Sequence, residues 1–251
     1  MRQITQSELD GQMESHQLWW RSGMTQGARL DLRELTMIGL SLANKGFPES
    51  NWSSVTGRNL DLSNARFARS RFRNVSLQAS RMPEAIFNDC DMEGVDFTDS
   101  DMAGADLSLS FAAKSKGLTL RNVNLSGGFI CKSWIVGSDF DGTNFENANL
   151  SKTMFEGCSF RNVNFKNANL MKTEFLNTDL RGADFTGARA LYTRFECARI
   201  NGIKGEMLAG RPDLEEEYWV QGKGIDLVPE GDPQFTNDIA VLRSLLISRN
   251  R

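Results

Sequence analysis

A large apolar residue recurs at every fifth position over most of this chain. From Leu32 the series runs through Met37, Leu42, Phe47, Trp52, Gly57, Leu62, Phe67, Phe72, Leu77, Met82, Phe87, Met92, Phe97 and Met102 to Leu107. Fifteen of these sixteen positions are large and apolar, and only Gly57 fails. The pattern breaks at SLSFAAKSKG, residues 108–117, and resumes three residues out of step at Leu120. It then continues by fives to Ile200, with sixteen of seventeen positions large and only Ala190 small. A period of five suits neither a helix, at 3.6, nor a plain strand, at 2.0. Within each unit, however, a small residue stands two places before the large one, as in Cys158 before Phe160 and Ala168 before Leu170. That spacing belongs to a short extended segment with one buried face. The two residues that follow, often polar, Gly or Asn, suit a turn. Each unit is therefore a short side plus a corner. No unit buries its apolar residue alone, so the units must stack into a solenoid.

The units ANLSK (148–152), ANLMK (168–172), TDLRG (178–182) and ADFTG (183–187) resemble the pentapeptide-repeat family, whose pattern is (S/T/A/V)(D/N)(L/F)(S/T/R)(G/X). The resemblance covers about residues 60–107 and 118–200. Residues 30–59 keep only the register: Leu30, Leu35 and Leu40 are large, and Lys45 charged, where the pattern wants a small residue. The resemblance implies an all-β solenoid, a right-handed quadrilateral β-helix with four units per coil. The thirty-three register positions then make about eight coils, a rod ~40 Å long at ~4.8 Å per stacked strand.

The expected divisions are a capping segment at 1–29, the repeat domain at 30–200 with its insertion at 108–117, and a C-terminal segment at 201–251. Thr5 and Glu8 are spaced as a capping box for a helix over 5–22, with Leu9, Met13, His16 and Trp20 on one face. Such a helix would cover the open end of the solenoid and its unpaired strand edges. Residues 201–234 carry Pro212, Pro229 and Pro233 and are expected to be mostly irregular. Residues 236–248 suggest a second helix, striped by Ile239, Leu242, Leu245 and Leu246, that either seals the last coil or joins two rods in a dimer.

If residue n lies over residue n+20, charges cancel between coils. Arg69 falls beside Asp89, Arg71 beside Asp91, Arg73 beside Glu93, and Arg81 between Asp61 and Asp101. After the break, Asp141 lies between Arg121 and Arg161, while Glu146 meets Lys166, Glu174 meets Arg194, and Asp179 meets Arg199. Neighbouring strands bring such side chains within pairing reach. Residues 84–106 hold eight acids and no base, and Glu84, Asp96, Asp99 and Asp106 are left without an expected partner. Lys132, Lys152 and Lys172 form the opposite case, a basic column without an acid. The columns Asn124–Asn144–Asn164 and Asn149–Asn169 are expected to hydrogen-bond between coils.

Little here suggests catalysis. The only histidine, His16, lies in the expected cap helix beside Trp19 and Trp20. No phosphate loop or dinucleotide fingerprint occurs, and a filled solenoid has no interior cleft. Cys90, Cys131, Cys158 and Cys197 form no C-x-x-C pair, so they are expected to be reduced thiols rather than zinc ligands. No catalytic, cofactor-binding or metal-binding residue is expected. Net charge is only −3, the apolar runs are too short to span a membrane, and the N-terminus lacks a signal-peptide core. A cytosolic protein is the expectation, although export without such a signal leaves no residue-level mark.

The expected function is a rigid, non-enzymatic scaffold that binds a protein partner. Its candidate surface comprises Phe111, Lys114 and Lys116 in the insertion, the outward Trp134, the Lys132–Lys152–Lys172 column, and the acids Glu84, Asp96, Asp99 and Asp106. Three lysines alone would bind nucleic acid weakly and in a salt-sensitive way. Some pentapeptide-repeat proteins protect DNA gyrase by imitating the charge of DNA, so the resemblance implies topoisomerase binding as the alternative. Delivery as a secreted effector is a further one.

Overall fold

The computed structural model describes residues 1–108, 115–205, 207–209, 225–226 and 246–248. It is a parallel β-solenoid of about eight turns with one short helix. Four columns of parallel pairings define four faces. On the first, the strands Asp31–Arg33, Asn51–Ser53, Arg71–Arg73, Asp91–Glu93, Ser115–Lys116, Trp134–Val136, Met154–Glu156, Glu174–Leu176, Arg194–Glu196 and Ile225–Asp226 form one ten-stranded sheet. The second face begins with Arg2–Gln3, Leu35–Ile38, Thr56–Arg58 and Ser76–Gln78, then continues as single bridges to Arg199. The third and fourth faces are ladders of single bridges, Ser41 to Lys204 and Gly46 to Arg189.

The register follows the sequence arithmetic. Pairing runs 20 residues apart within each half, as in Phe155 with Phe175. Across the break it runs 23 apart, as in Asp96 with Thr119 and Asp101 with Asn124. The insertion therefore adds three residues to one corner without disturbing any face. The next first-face position is Ser115, buried although it is small and polar.

The five-residue spacing works because each corner turns through a left-handed residue. Asn162, Asn167, Gly182 and Gly187 have φ of 56, 56, 73 and 71°, a region that Gly and Asn enter at low cost. The large register residues then meet on the axis. Phe140 stacks on Phe160 at 4.7 Å, Phe145 on Phe165 at 5.4 Å, and Phe155 on Phe175 at 5.6 Å. The small inner residues also do polar work: the Thr173 and Thr193 hydroxyls donate to the carbonyls of Leu150 (2.9 Å) and Leu170 (2.6 Å). The failure at Gly57 is compensated locally. A Cβ there would lie 2.7 Å from Leu60 Cδ1 and 3.0 Å from Leu77 Cδ2, so the large Leu60 occupies the space the glycine leaves.

The helix, Gln6–Arg21, begins at the expected capping box and buries Leu9, Met13 and His16. Trp20 differs from expectation: it is 40% exposed, with the Arg69 guanidinium 5.8 Å over its ring. The helix also satisfies the open edge of the first coil. The Gln6 carboxamide accepts from Ser41 N–H (2.9 Å) and donates to Ser41 C=O (3.0 Å), as a neighbouring strand would. His16 Nδ1 accepts from Leu30 N–H at 3.0 Å. Lys45, charged where the repeat wants a small residue, pairs with Asp10 of the helix at 3.3 Å. Ahead of the helix, Arg2–Gln3 extends the second face by pairing with Leu35 and Thr36.

The C-terminal helix expected over 236–248 is not what forms at its end. Leu246–Ser248 is a strand, parallel to Met207–Ala209 with Leu246 opposite Met207. Pairing to a neighbouring strand overrides the local helical preference of these residues. Ile239, Leu242 and Leu245 lie outside the described residues, and so does most of 201–234. Within that stretch Lys204 continues the third-face ladder from Asp184, and Ile225–Asp226 pairs with Phe195–Glu196.

Candidate interaction surface

The axis is filled, so any site must be built from outward residues. Each side of the solenoid shows two of them, one before and one after the buried register residue. Both look outward, and this changes the charge map. Arg71–Asp91 (3.3 Å), Arg73–Glu93 (3.3 Å), Glu174–Arg194 (3.6 Å) and Asp179–Arg199 (4.0 Å) pair as the 20-residue rule expects. Other cations reach diagonally to an acid 18 residues on: Arg73 to Asp91, Arg121 to Asp139, Arg161 to Asp179 (2.9 Å) and Lys166 to Asp184 (3.4 Å). Arg69 pairs with Glu49 (3.2 Å), one coil before it, instead of with Asp89, one coil after it. Long Arg and Lys stems reach the diagonal neighbour as easily as the one directly opposite. Burial alone would raise the Asp179 pKa, but hydrogen bonds from Arg181 and Arg161 outweigh it and lower it to about 2.

The acids of 84–106 do not converge. Asp91 and Glu93 lie on the first face, Asp96 on the second, Asp101 on the third and Asp106 on the fourth, while Asp89 and Asp99 sit at corners. They make a belt around one coil rather than a stripe along the rod. Asp96 accepts from Gln78 (2.6 Å) and the Thr98 hydroxyl (2.6 Å), Asp99 from Asn122 (3.1 Å), and Asp106 from Ser108 N–H (2.9 Å). Glu84 is exposed at another corner, its carboxylate lying over Gly104. The asparagine columns bond as expected, with Asn164 donating to Asn144 Oδ1 (2.8 Å) and Asn169 to Asn149 Oδ1 (3.1 Å).

Of the insertion residues, Phe111 and Lys114 lie outside the described residues. Lys116 does not project as the loop reading expected. It sits in a first-face strand and pairs with Glu93 at 2.7 Å, because the register resumes at Ser115. Trp134 is outward and half-buried on that face, its indole N–H donating to Glu156 Oε2 at 3.2 Å. Lys132, Lys152 and Lys172 are exposed at the corner between the fourth and first faces, in left-handed conformation at φ 55, 62 and 58°. The column ends at Tyr192, also left-handed, with the Lys172 ammonium 5.8 Å over its ring.

Sequence reasoning missed the surroundings of this column. Val136, Met154 and Leu176 join Trp134 on the first face, and Met171 and Leu191 flank the lysines on the fourth-face side, all half-buried. The signal was present: twenty residues on from Trp134 is Met154, and twenty on from Lys172 is Tyr192.

Nothing in the described surface suggests chemistry. Among the described residues no cluster of His, Cys, Asp or Glu could hold a metal ion, and no helix is long and apolar enough to cross a membrane. Burial pushes the Cys90 and Cys158 thiols up to about 12, so both stay protonated.

The family described as "Pentapeptide repeat region" matches residues 132–204, and that described as "Pentapeptide repeats (8 copies)" matches residues 84–110. No curated protein matches the chain. Among solved structures the chain is similar to HetL, a pentapeptide repeat protein involved in heterocyst differentiation regulation from the cyanobacterium Nostoc sp. strain PCC 7120. Identity is 15%, covering 80% of this chain and 92% of that one, at a TM-score of 0.48. It is also similar to QnrB1, a plasmid-mediated fluoroquinolone resistance protein, at 15% identity, 76% and 99% coverage, and a TM-score of 0.39. A third is Rfr23 from the cyanobacterium Cyanothece 51142, at 17% identity, 59% and 89% coverage, and a TM-score of 0.23. Residues 84–110 and 132–204 thus match pentapeptide repeats, and the five-residue register and four stacked faces run through both regions.

Proposed function

We infer that this protein is a non-enzymatic scaffold that binds another protein along the outside of its rod. One observation carries the reading. On the first face, the outward positions of the N-terminal coils hold the ion-paired set Arg71, Arg73, Asp91, Glu93 and Lys116. Further along the rod, the corresponding positions hold Trp134, Val136, Met154 and Leu176 interleaved with Glu156, Glu174, Arg194 and Glu196. Water-facing apolar residues on a rigid face add nothing to a core already closed behind them, whereas aromatic and Met side chains are favoured in protein interfaces.

The alternative is topoisomerase protection by imitation of DNA. Duplex DNA presents a negative charge about every 1.7 Å along its axis. The acids of this chain encircle a single coil, and many of the remainder are paired along the rod, which favours the scaffold reading. A supercoiling assay with purified gyrase, titrated with this protein in the presence and absence of a quinolone, decides between them. No effect up to tens of micromolar is expected. Inhibition, or relief of quinolone-induced cleavage, overturns the scaffold reading. A photo-crosslinker placed at Met154 in the native host should then trap a protein that one placed at Asp139, on the second face, does not.

A further inference from the structure

We propose that the corner formed by Lys132, Lys152, Lys172 and Tyr192 is a docking rail for an acidic amphipathic α-helix of the partner protein, lying parallel to the rod axis. The proposal rests on the scaffold reading and names the chemistry of its partner.

The corner is built against its own stability. Elsewhere on the described surface stacked like charges share a counter-charge, as Arg161 and Arg181 share Asp179. Here three ammonium groups stack on successive coils, and none has an acid partner among the ion pairs of the described residues. Like charges on neighbouring strands repel. Each lysine also occupies a left-handed corner position that asparagine or glycine fills at most other corners, and an L side chain is strained there. A feature that breaks two local rules without an internal gain points to an external one.

The flanks and the spacing define the ligand. Trp134 and Met154 border Lys132 and Lys152 on the first-face side, and Met171 and Leu191 border Lys172 and Tyr192 on the fourth-face side, so the apolar border crosses the ridge diagonally. A polynucleotide, charged along its whole backbone, has no counterpart for the apolar borders, whereas an amphipathic helix does. Successive coils rise by about 4.8 Å. Acids at i, i+4, i+7 and i+11 of an α-helix advance about 5.5 Å per step, at about 1.5 Å per residue. Same-side residues of an extended chain advance about 6.7 Å and fall out of step within three coils. Flexible lysine stems absorb the small helical mismatch, and the helix's flanking apolar residues meet the two apolar borders.

The test is fluorescence anisotropy with a labelled, stapled helical peptide of about 18 residues, bearing Glu at i, i+4, i+7 and i+11 and Leu beside them. Saturable binding is expected, weakened about tenfold by Lys152→Glu and by raised salt, and weakened by Met154→Ser with less salt dependence. Lys152→Asn should weaken binding while raising the unfolding temperature by about 2–4 °C, since it relieves strain and repulsion together. A merely structural lysine would not separate these two readouts in that way. The proposal falls if the peptide does not bind, or if a Glu→Gln peptide binds equally. It also falls if a proline-containing extended peptide of the same composition, or a single-stranded oligothymidylate, binds as tightly. Peptide failure alongside Met154-specific crosslinking removes the helical partner but leaves the scaffold; failure of both removes the scaffold as well.

Discussion

The coils before residue 108 and those after 117 share one backbone and differ in almost everything they show to water. In the first half the outward positions of the first face form a salt-bridged lattice in which Asp91 receives both Arg71 and Arg73. In the second half the same face carries Trp134, Met154 and Leu176, the third face carries an asparagine ladder, and the corner carries bare lysines. The interiors differ less. Trp52, Phe67, Phe72 and Phe87 interlock with Met82 and Met92 before the break, and columns of nearly parallel Phe rings follow it. Both halves show that inward residues and corners set the coil, leaving the outward positions free to vary. Both halves use that freedom for ion pairs, and the C-terminal half also turns Trp134, Val136, Met154 and Leu176 outward.

The most damaging challenge to this division is to the shared interior. Phe160→Ala should cost ~3–5 kcal/mol in urea unfolding, as a core truncation on the axis, and Phe87→Ala should cost a similar amount. A loss below ~1 kcal/mol at either site would mean that the two halves are not held by the same core. Next, Gly57→Leu should cost ~1–3 kcal/mol by overpacking against Leu60 and Leu77. Adding Leu60→Ala should recover most of that loss. Failure to recover would show that the N-terminal coils depend on more than filled volume.

Acid should separate the halves without any mutation. Burial and the nearby Arg29 hold the His16 imidazole below its ordinary pKa of 6.5, against the opposing pull of the Pro48 backbone and Glu49. The folded cap therefore keeps His16 neutral while the unfolded chain takes up a proton. Its contribution is complete above about pH 6.5 and is lost as pH falls below that value. Asp179, held at about 2 against 3.8, contributes fully above about pH 4 and loses its contribution between there and about pH 2. Hydrogen exchange should accordingly show the backbone at Leu30 and Ser41 losing protection on mild acidification before the coils around Asp179. His16→Gln, which retains an acceptor for Leu30, should abolish the earlier step. Simultaneous loss in both regions would contradict this assignment.

The smallest expected effect is at the surface. Arg71→Glu should destabilise by ~0.2–1 kcal/mol through repulsion with Asp91, and Asp91→Arg in the same chain should recover only part of it, because Arg73 also pairs with Asp91. Neutrality of both changes would mean that the N-terminal lattice is decoration, and the contrast with the C-terminal face would then lose its meaning.

Much of the fold was legible because its period is local. Every inward residue from Leu32 to Ile200, the capping box at Thr5 and Glu8, and the asparagine ladders follow from counting by five and by twenty. The break at 108–117 declared itself as a shift of three, although only the pairing of Ser115 with Ile135 shows that one corner absorbs it. The candidate site was half legible. Trp134 and the lysine column stood out, whereas Met154, Leu176 and Tyr192 needed the stacking to bring them beside those residues. Phe111 and Lys114 remain outside the described residues, and the acids of 84–106 were misleading as a linear cluster.

The amino-acid sequence by itself determined the coil, because a small–x–large unit with a turn has one way to bury its large residue, and that is to stack on its neighbours. The tertiary structure decided what lies at the ends and on the outside. The expected N-terminal helix meets the open edge through Gln6 and His16, contacts that no spacing showed, and a strand, not a helix, forms at Leu246–Ser248. Several arginines choose diagonal acids over those directly opposite, and the acidic run closes into a belt. These outcomes depend on which surfaces meet across many residues of chain, where backbone pairing and side-chain reach outweigh local preference.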